Sequence, residues 1–374
     1  MMAKDLPDIA ALRILELGAS NYFKHEYPER TTQLWTGTRL PDRSLFDGLA
    51  TPGKVMAELS AARRGRYDVV IAYPMRYPGY HPRHWVYGLL RRPLQPWAAV
   101  TRAFGVSLLR LYDLPIPIVA IDMDDAFTLS RPGLFLLDRA VAFLKRELPA
   151  DRWQALTGSV HPHIATFRYR NSAKWRARID NLQPISLPQW MIDPAITDGP
   201  FPQKTADLFF AGAVHGNSTL RSDGVKELDR LRAAGVRIDI PAAPLPHSEF
   251  QRRMAASWLA WSPAGRGWDC NRHYEAALAQ SVPVMNYPTI LRHQPLADGV
   301  HGVYYAPEPG GLERAVLAAL SDKPRLQGMA LAARDHVRAH HTRKAYCDYI
   351  LRLAMQNRTP PATQAAEADC AGPA

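Results

Sequence analysis

WLAWSPAGRGWDCNRHYEAALAQSVPVMNYP, residues 258–288, reads as an apolar strand, a glycine-containing turn, a short helix and a second apolar strand. In a parallel α/β sheet, ligands bind beyond the carboxyl ends of the strands, where this turn would lie. Gly265 and Gly267, flanking Arg266, let the backbone come close to a ligand. Asp269 is placed to cap the helix. The helix start offers free N–H groups and a positive dipole end, a site for phosphate. Arg272 in the first turn opposes that dipole, which makes sense if an anion is bound between them. Glu275 follows three residues later on the same side, and a carboxylate accepts hydrogen bonds from the paired hydroxyls of a ribose or a sugar. Arginine for phosphate and glutamate for hydroxyls fit a nucleotide-sugar. The plainer alternative is an Arg272–Glu275 surface ion pair worth a few tenths of a kcal/mol. His273 and Tyr274 read either as lining or, for Tyr274, as core.

Outward from this stretch, the same alternation recurs. Before it come a strand at 206–213, a polar loop (214–224), a helix over 225–235 ended by Gly235, a strand at 236–242 and a helix with Ser248 as its candidate cap. After it come a strand at 302–307 and two long helical patterns. The first half alternates likewise. Strands are expected at 12–19, 67–74 and 116–125, and helices at 96–112 and 133–148. Apolar strands alternating with amphipathic helices imply mostly parallel sheets covered on both faces. The expected fold is therefore α/β, with two Rossmann-like domains. The expected boundaries are 1–190, a proline-rich linker at 191–205, a second domain at 206–356 and a disordered tail at 357–374.

Several classes are disfavoured. Gly18 is followed by ASNYFKH, so the first strand lacks the GxGxxG turn of a dinucleotide dehydrogenase, and there is no Walker A loop. The three cysteines, Cys270, Cys347 and Cys370, form neither a CxxC nor a zinc pattern, which points to a reducing compartment. No signal peptide is read at the N-terminus, and no apolar run nears the roughly 20 residues that span a bilayer. The net charge of +11 is spread over several clusters with no nucleic-acid motif. Such a surface suits nucleotide phosphates, anionic lipid headgroups or acidic glycans.

With Arg272, Tyr274, Glu275, Ala276 and Val282-Pro283-Val284 in that spacing, the stretch resembles the nucleotide-binding segment of GT-B glycosyltransferases. More narrowly, it is similar to the group 1, exostosin-like and spore-maturation-like members. Gln280-Ser281 stands where glycine is common in that pattern. ADLFFAGAVHGNSTLRSDGVKEL (206–228), LADGVHGVYYAPEPGGLERAVLAALSD (296–322) and AARDHVRAHHTRKAYCDYIL (332–351) extend the resemblance to about residues 205–355. It implies two Rossmann-like domains facing across a cleft, with a nucleotide-diphosphate-sugar held by the second and an acceptor by the first. It implies Glu275 at the ribose or donor sugar, Arg272 and Arg221 at the phosphates, and Gly212 and Asn217 shaping the first loop. No metal or cofactor is implied, because arginines and helix dipoles stabilise the departing diphosphate. The sequence departs from the retaining branch at Gly267, eight residues before Glu275, where that branch often carries a glutamate.

Further candidates lie in the first half. Asp122, Asp124 and Asp125 end a buried strand and read as a base or acceptor-binding group (Asp124 above all), as a hard-cation site, or as turn residues. His25, in the loop after the first strand, is a catalytic or acceptor candidate. Lys145, Arg146 and Glu147 read as the end of a helix, and His161 and His163 as loop residues. The aromatic and basic stretch 74–93 reads as a sugar platform, a membrane-interface patch or ordinary packing.

The expected function is transfer of a sugar from a nucleotide-diphosphate-sugar to a glycan, lipid-linked or protein acceptor by a cytoplasmic protein of bacterial type, possible contact with the inner membrane face included. The other readings are an epimerase-like enzyme on the same architecture and an inactive glycan- or nucleotide-binding module.

Overall fold

The computed structural model describes residues 8–37, 41–74, 105–130, 133–157, 173–189, 193–214 and 219–357. The chain divides into two compact units, residues 1–185 with 347–374, and residues 186–346. Each is built on a parallel sheet.

The first sheet has the order β3-β2-β1-β4-β5-β6-β7. Its strands are β1 (Ile14–Gly18), β2 (Thr31–Trp35), β3 (Gly48–Leu49), β4 (Val69–Ala72), β5 (Ile118–Asp122), β6 (Ala142–Lys145) and β7 (Leu182–Pro184). Every residue of β1, β4, β5 and β6 is buried, as expected of strands covered on both faces. Helix α1 (Tyr22–Glu26) follows β1, and α2 (Pro52–Arg63) leads into β4. Glu16 on β1 is fully buried and ties the start of α1 to the sheet, accepting the N–H groups of Phe23 and Lys24 and the hydroxyl of Tyr73. The short helices α3 (Leu136–Arg139) and α4 (Ala173–Arg176) precede β6 and β7.

The second sheet has the order β12-β11-β10-β8-β9, with β8 (Ala206–Phe209), β9 (Ile238–Asp239), β10 (Ser257–Trp261), β11 (Val282–Asn286) and β12 (Val303–Tyr305). Its helices are α5 (Pro194–Thr197), α6 (Thr219–Ala233), α7 (His247–Ala255), α8 (Asn271–Leu278), α9 (Gly311–Leu320), α10 (Lys323–His340) and α11 (Arg343–Gln356). Leu208, Leu228, Leu259, Trp261, Val284 and Val316 form its core. The chain returns to the first unit at Cys347, within α11. There Asp348 accepts a hydrogen bond from the Tyr27 hydroxyl. Among the described residues, no helix is long and apolar enough to cross a membrane.

Three readings of the sequence are corrected. The helix expected over 133–148 is the short α3 followed by strand β6, because a brief apolar run such as AVAFLK cannot be told from a helix by periodicity alone. Lys145 therefore ends a strand rather than a helix. The loop expected up to residue 224 is helical from Thr219, and Gly224 admits the ring of Trp261, which a Cβ would meet at 2.2 Å. Ser248 is not a cap: α7 begins at His247, with Pro246 in the capping position. Of the helix expected over 96–112, only a 3-10 helix, Val106–Leu111, falls within the described residues. His161, His163, the aromatic stretch from residue 75 onward and the tail from residue 358 lie outside them.

Placing Lys145 on β6 brings it opposite Asp122 of β5 in the register of the sheet. Lys145 Nζ and Asp122 Oδ2 are 3.0 Å apart, and both side chains are essentially sealed from solvent. Removing one partner of a buried ion pair strands the other charge, at a cost of about 3–5 kcal/mol. Lys145→Met should therefore lower unfolding stability by about that amount in a denaturant titration. A loss as small as that of an exposed pair would show that Asp122 is not held as an ion in the folded chain.

Candidate functional site

The carboxyl ends of β8 and β10 adjoin, since the two strands pair directly. The sequence between them runs out through β9 and back, so the connections diverge at this point, where α/β sheets bind ligands. Two loops leave here. Residues 210–214 continue β8, and residues 262–270 join β10 to α8.

Arg221, in the first turns of α6, holds the loops together and is largely buried. Its Nη1 donates to Ala213 O at 2.9 Å, its Nε to Ala264 O at 3.2 Å and its Nη2 to Pro263 O at 3.5 Å. Gly265 is what lets it lie so close: a Cβ there would stand 2.7 Å from Arg221 Nη2. Gly212 plays the same part for Arg272, whose Nη2 would be 2.6 Å from an added Cβ.

Arg272 itself is unusual. Its guanidinium lies over the Phe210 ring, 5.4 Å from the centroid. Its Nε and Nη1 are shut off from solvent and have no hydrogen-bond partner among the described residues. Neither it nor Arg221 forms an ion pair with a carboxylate among the described residues. The two cations feel each other: burial pulls the Arg221 pKa down, and the nearby Arg272 pulls it further. A buried charged donor left unsatisfied costs about 1–3 kcal/mol or more, so the arrangement is stable only in so far as the surroundings enforce it. An anion between the two guanidinium groups would relieve the cost. The start of α8 adds to the pull on an anion: Cys270 caps it without a side-chain hydrogen bond, and its first turn holds no acid.

Glu275 stands one turn further along α8 and is partly exposed. Among the described residues its carboxylate accepts no hydrogen bond. Burial raises its pKa, while Arg272 and His247 oppose the rise. It is a free acceptor beside a cation, suited to hydroxyl groups.

The remaining residues of the stretch support the loop. Asp269 is not the helix cap. Its Oδ2 accepts the Leu187 N–H at 2.9 Å and its Oδ1 the Tyr274 hydroxyl at 2.6 Å. Tyr274 is correspondingly buried. His273 is buried too, with Nε2 donating to Trp268 O at 2.8 Å, and burial lowers its pKa to about 3, so it is neutral. Arg266 is exposed at the tip of the turn that the Gly265 N–H closes on Gly267 O. Asn217 lies outside the described residues.

In the first unit, Asp124 follows β5 and donates its N–H to Asp122 Oδ1 at 3.0 Å. Asp125 pairs with Arg146. His25 is exposed on α1. The structure thus brings together Gly212, Arg221, Gly265, Arg272 and Glu275 in the second unit, while Asp124 and His25 follow separate strands of the first sheet.

The sequence reading missed Asn286 and Arg292. Asn286 Oδ1 accepts the Ala264 N–H at 2.9 Å, and its carbonyl accepts Trp268 Nε1 at 3.0 Å, so the end of β11 pins both sides of the glycine turn. The polar residue closing the apolar run VPVMN is the one signal that could have marked it. Arg292 lies over the ring of Trp268, 5.1 Å from its centroid.

No family model matches the sequence, and no curated protein matches it. Solved structures do match in shape. A glycosyltransferase from Rickettsia africae ESF-5 aligns with a TM-score of 0.54 at 9% identity, over 92% of this chain and 98% of that one. Sucrose-phosphate synthase from Thermosynechococcus elongatus aligns at 0.53 with 10% identity, over 92% and 98%. An alpha-glucosyltransferase in complex with UDP and a mismatched DNA 13-mer aligns at 0.50 with 10% identity, over 92% and 100%. The chain has the two-sheet α/β fold of these GT-B glycosyltransferases.

If Arg272 waits unpaired for an anion, its removal should help the empty protein. Arg272→Met keeps the stem and drops the charge, and should raise unfolding stability in phosphate-free buffer by about 1–3 kcal/mol. Destabilisation instead would mean that the guanidinium is satisfied within the fold.

Proposed function

We propose that this protein is a glycosyltransferase that takes a nucleotide-diphosphate-sugar as donor and passes the sugar to a hydroxyl of a glycan, lipid-linked or protein acceptor. The observation that carries the reading is the pair of arginines, buried Arg221 and half-buried Arg272, that form no ion pair with a carboxylate among the described residues, beside Glu275 at the β8–β10 junction. In this reading the two guanidinium groups and the start of α8 hold the diphosphate. As the sugar–phosphate bond breaks, negative charge builds on the departing nucleoside diphosphate, and prepositioned cations in a partly dry site stabilise it without further rearrangement. No metal or cofactor is required by this scheme. Glu275 accepts hydroxyls of the ribose or the transferred sugar. Gly212 and Gly265 keep the loops close to the arginines. Asp269, His273 and Tyr274 act by holding the loop.

Deprotonation of the acceptor hydroxyl requires a base if the reaction inverts the sugar carbon. Asp124 and His25 of the first unit are the candidates. The segment resemblance to the exostosin-like and spore-maturation-like group is the finer form of the same proposal. UDP is the first nucleotide to try, because the alpha-glucosyltransferase of the same fold was solved with it.

The test is a thermal-shift series with UDP, GDP, ADP and TDP on wild type, Arg272→Ala and Glu275→Ala. A ligand that binds only the folded protein at about a hundred times its Kd stabilises it by about 2.7 kcal/mol, a readily seen shift. One nucleotide should raise the wild-type Tm, and both substitutions should shrink the rise. No shift with any of the four would remove the reading's support.

A further inference from the structure

Five histidines converge where the loop between β11 and β12 meets the end of α10. His293 and His301 come from the loop, and His336, His340 and His341 from the helix and its cap. The ring centroids of His301 and His336 are 4.3 Å apart, those of His336 and His340 4.8 Å, and those of His336 and His341 5.6 Å. His293 meets His341 edge-on at 6.4 Å. Among the described residues, no group of three histidine, cysteine or acidic side chains is arranged to hold a metal ion.

The hydrogen bonds fix the protons. His336 Nε2 and His341 Nε2 both donate to one carbonyl, that of Gln294, at 2.9 and 2.8 Å. Gln294 has φ +42°, a left-handed conformation uncommon for a residue with a side chain, so these two bonds hold a bend the loop would otherwise disfavour. His301 Nδ1 accepts the Ala297 N–H at 3.1 Å, which it can do only while neutral. His341 Nδ1 faces Ser186 Oγ at 2.8 Å.

We propose that residues 291–301 form a latch, closed onto α10 by neutral histidines and released in mildly acid solution. Protonation of His301 breaks its bond to Ala297 and sets a charge against a ring 4.3 Å away. The surroundings add to that strain. Arg292, Arg325, Arg334 and Arg338 stand on the loop and α10. The nearby acids are engaged: Asp298 with the Tyr304 N–H and the Tyr287 hydroxyl, Asp335 with Arg334, Asp198 with Arg338, and Asp269 with Leu187 and Tyr274.

The direction of the effect follows from the pKa values. Burial, then neighbouring histidines, lowers the pKa of His301 and of His340, and takes that of His293 to about 4. Burial takes that of His341 to about 3, against the pull of Gln294 O. A released loop frees its rings to take up protons near the ordinary value of about 6.5. The closed form is therefore fully favoured above that pH and loses ground as pH falls below it. Each histidine kept neutral in the closed form and freed in the open one shifts the balance about tenfold at a pH one unit below its free value.

Release would reach the anion site. Arg292 covers Trp268 and hydrogen-bonds the Tyr304 hydroxyl, and the carbonyl of Trp268 is held by His273. A freed loop takes Arg292 off Trp268, beside the glycine turn. This consequence rests on the donor-site reading above, while the latch itself does not.

Amide hydrogen exchange on the full-length protein at about pH 7.5 and about pH 5.5, corrected for intrinsic rates, tests the latch. Protection at Gly299 and His301, whose N–H groups bond within the loop, should fall about tenfold or more at the lower pH. The double variant His301→Asn and His336→Gln keeps an acceptor for Ala297 and a donor for Gln294 without titrating, and its fall should be markedly smaller. Equal wild-type protection at both pH values would overturn the latch, as would an undiminished fall in the variant. UDP binding measured at the two pH values separates the claims. Binding that weakens in acid for wild type and less so for the variant links latch and site. If UDP binds equally at both while exchange rises, the link is refuted and the latch stands. If no nucleotide binds at either, the donor reading fails, and exchange alone still decides the latch.

Discussion

Like charges repel, and Arg221 and Arg272 are held within reach of each other's field at the end of the second sheet, neither in an ion pair with a carboxylate among the described residues. Much of the local structure can be understood as what enforces this. Three backbone carbonyls hold Arg221, and Gly212 and Gly265 make room for the guanidinium groups. Asn286 fixes the loop from β11, Asp269 anchors it to Leu187, and His273 and Arg292 hold Trp268 from two sides. Such expenditure on keeping cations unpaired is characteristic of sites that bind or stabilise negative charge.

The same arrangement accounts for the proposed chemistry without an added ion. A leaving nucleoside diphosphate gains charge during glycosyl transfer, and fixed guanidinium groups meet it already oriented. In that proposal Glu275 complements them, its carboxylate accepting hydroxyl groups where the arginines meet charge. The first unit contributes a different electrostatic pattern. There Lys145 and Asp122 neutralise each other inside the sheet, and the Asp122 carboxylate also fixes the backbone of Asp124.

The parallel α/β fold was legible in the sequence because buried strands such as IVAID and VPVMN are apolar throughout, and the helices between them are periodic. That Arg272 and Glu275 share the start of one helix was legible in their spacing, and a cation there is a local oddity. What escaped depends on partners distant in sequence. Strand β6 looked helical because its run is short and its neighbour β5 lies some twenty residues away. Asp269 looked like a cap, but its partners include Leu187, which no spacing rule connects to it. The histidine cluster joins two loop residues to three at the end of a later helix, so only the fold assembles it.

The most direct test of the central claim is side-chain nitrogen NMR of the arginine Nε–H groups during titration with inorganic pyrophosphate, with Arg272→Lys used to assign the signal. Because the Arg272 Nε–H is shut off from solvent and lacks an acceptor among the described residues, its resonance should move strongly and exchange more slowly as the anion binds. If that resonance stays unchanged at saturating pyrophosphate, Arg272 is not the anion's partner and the account of the site is wrong.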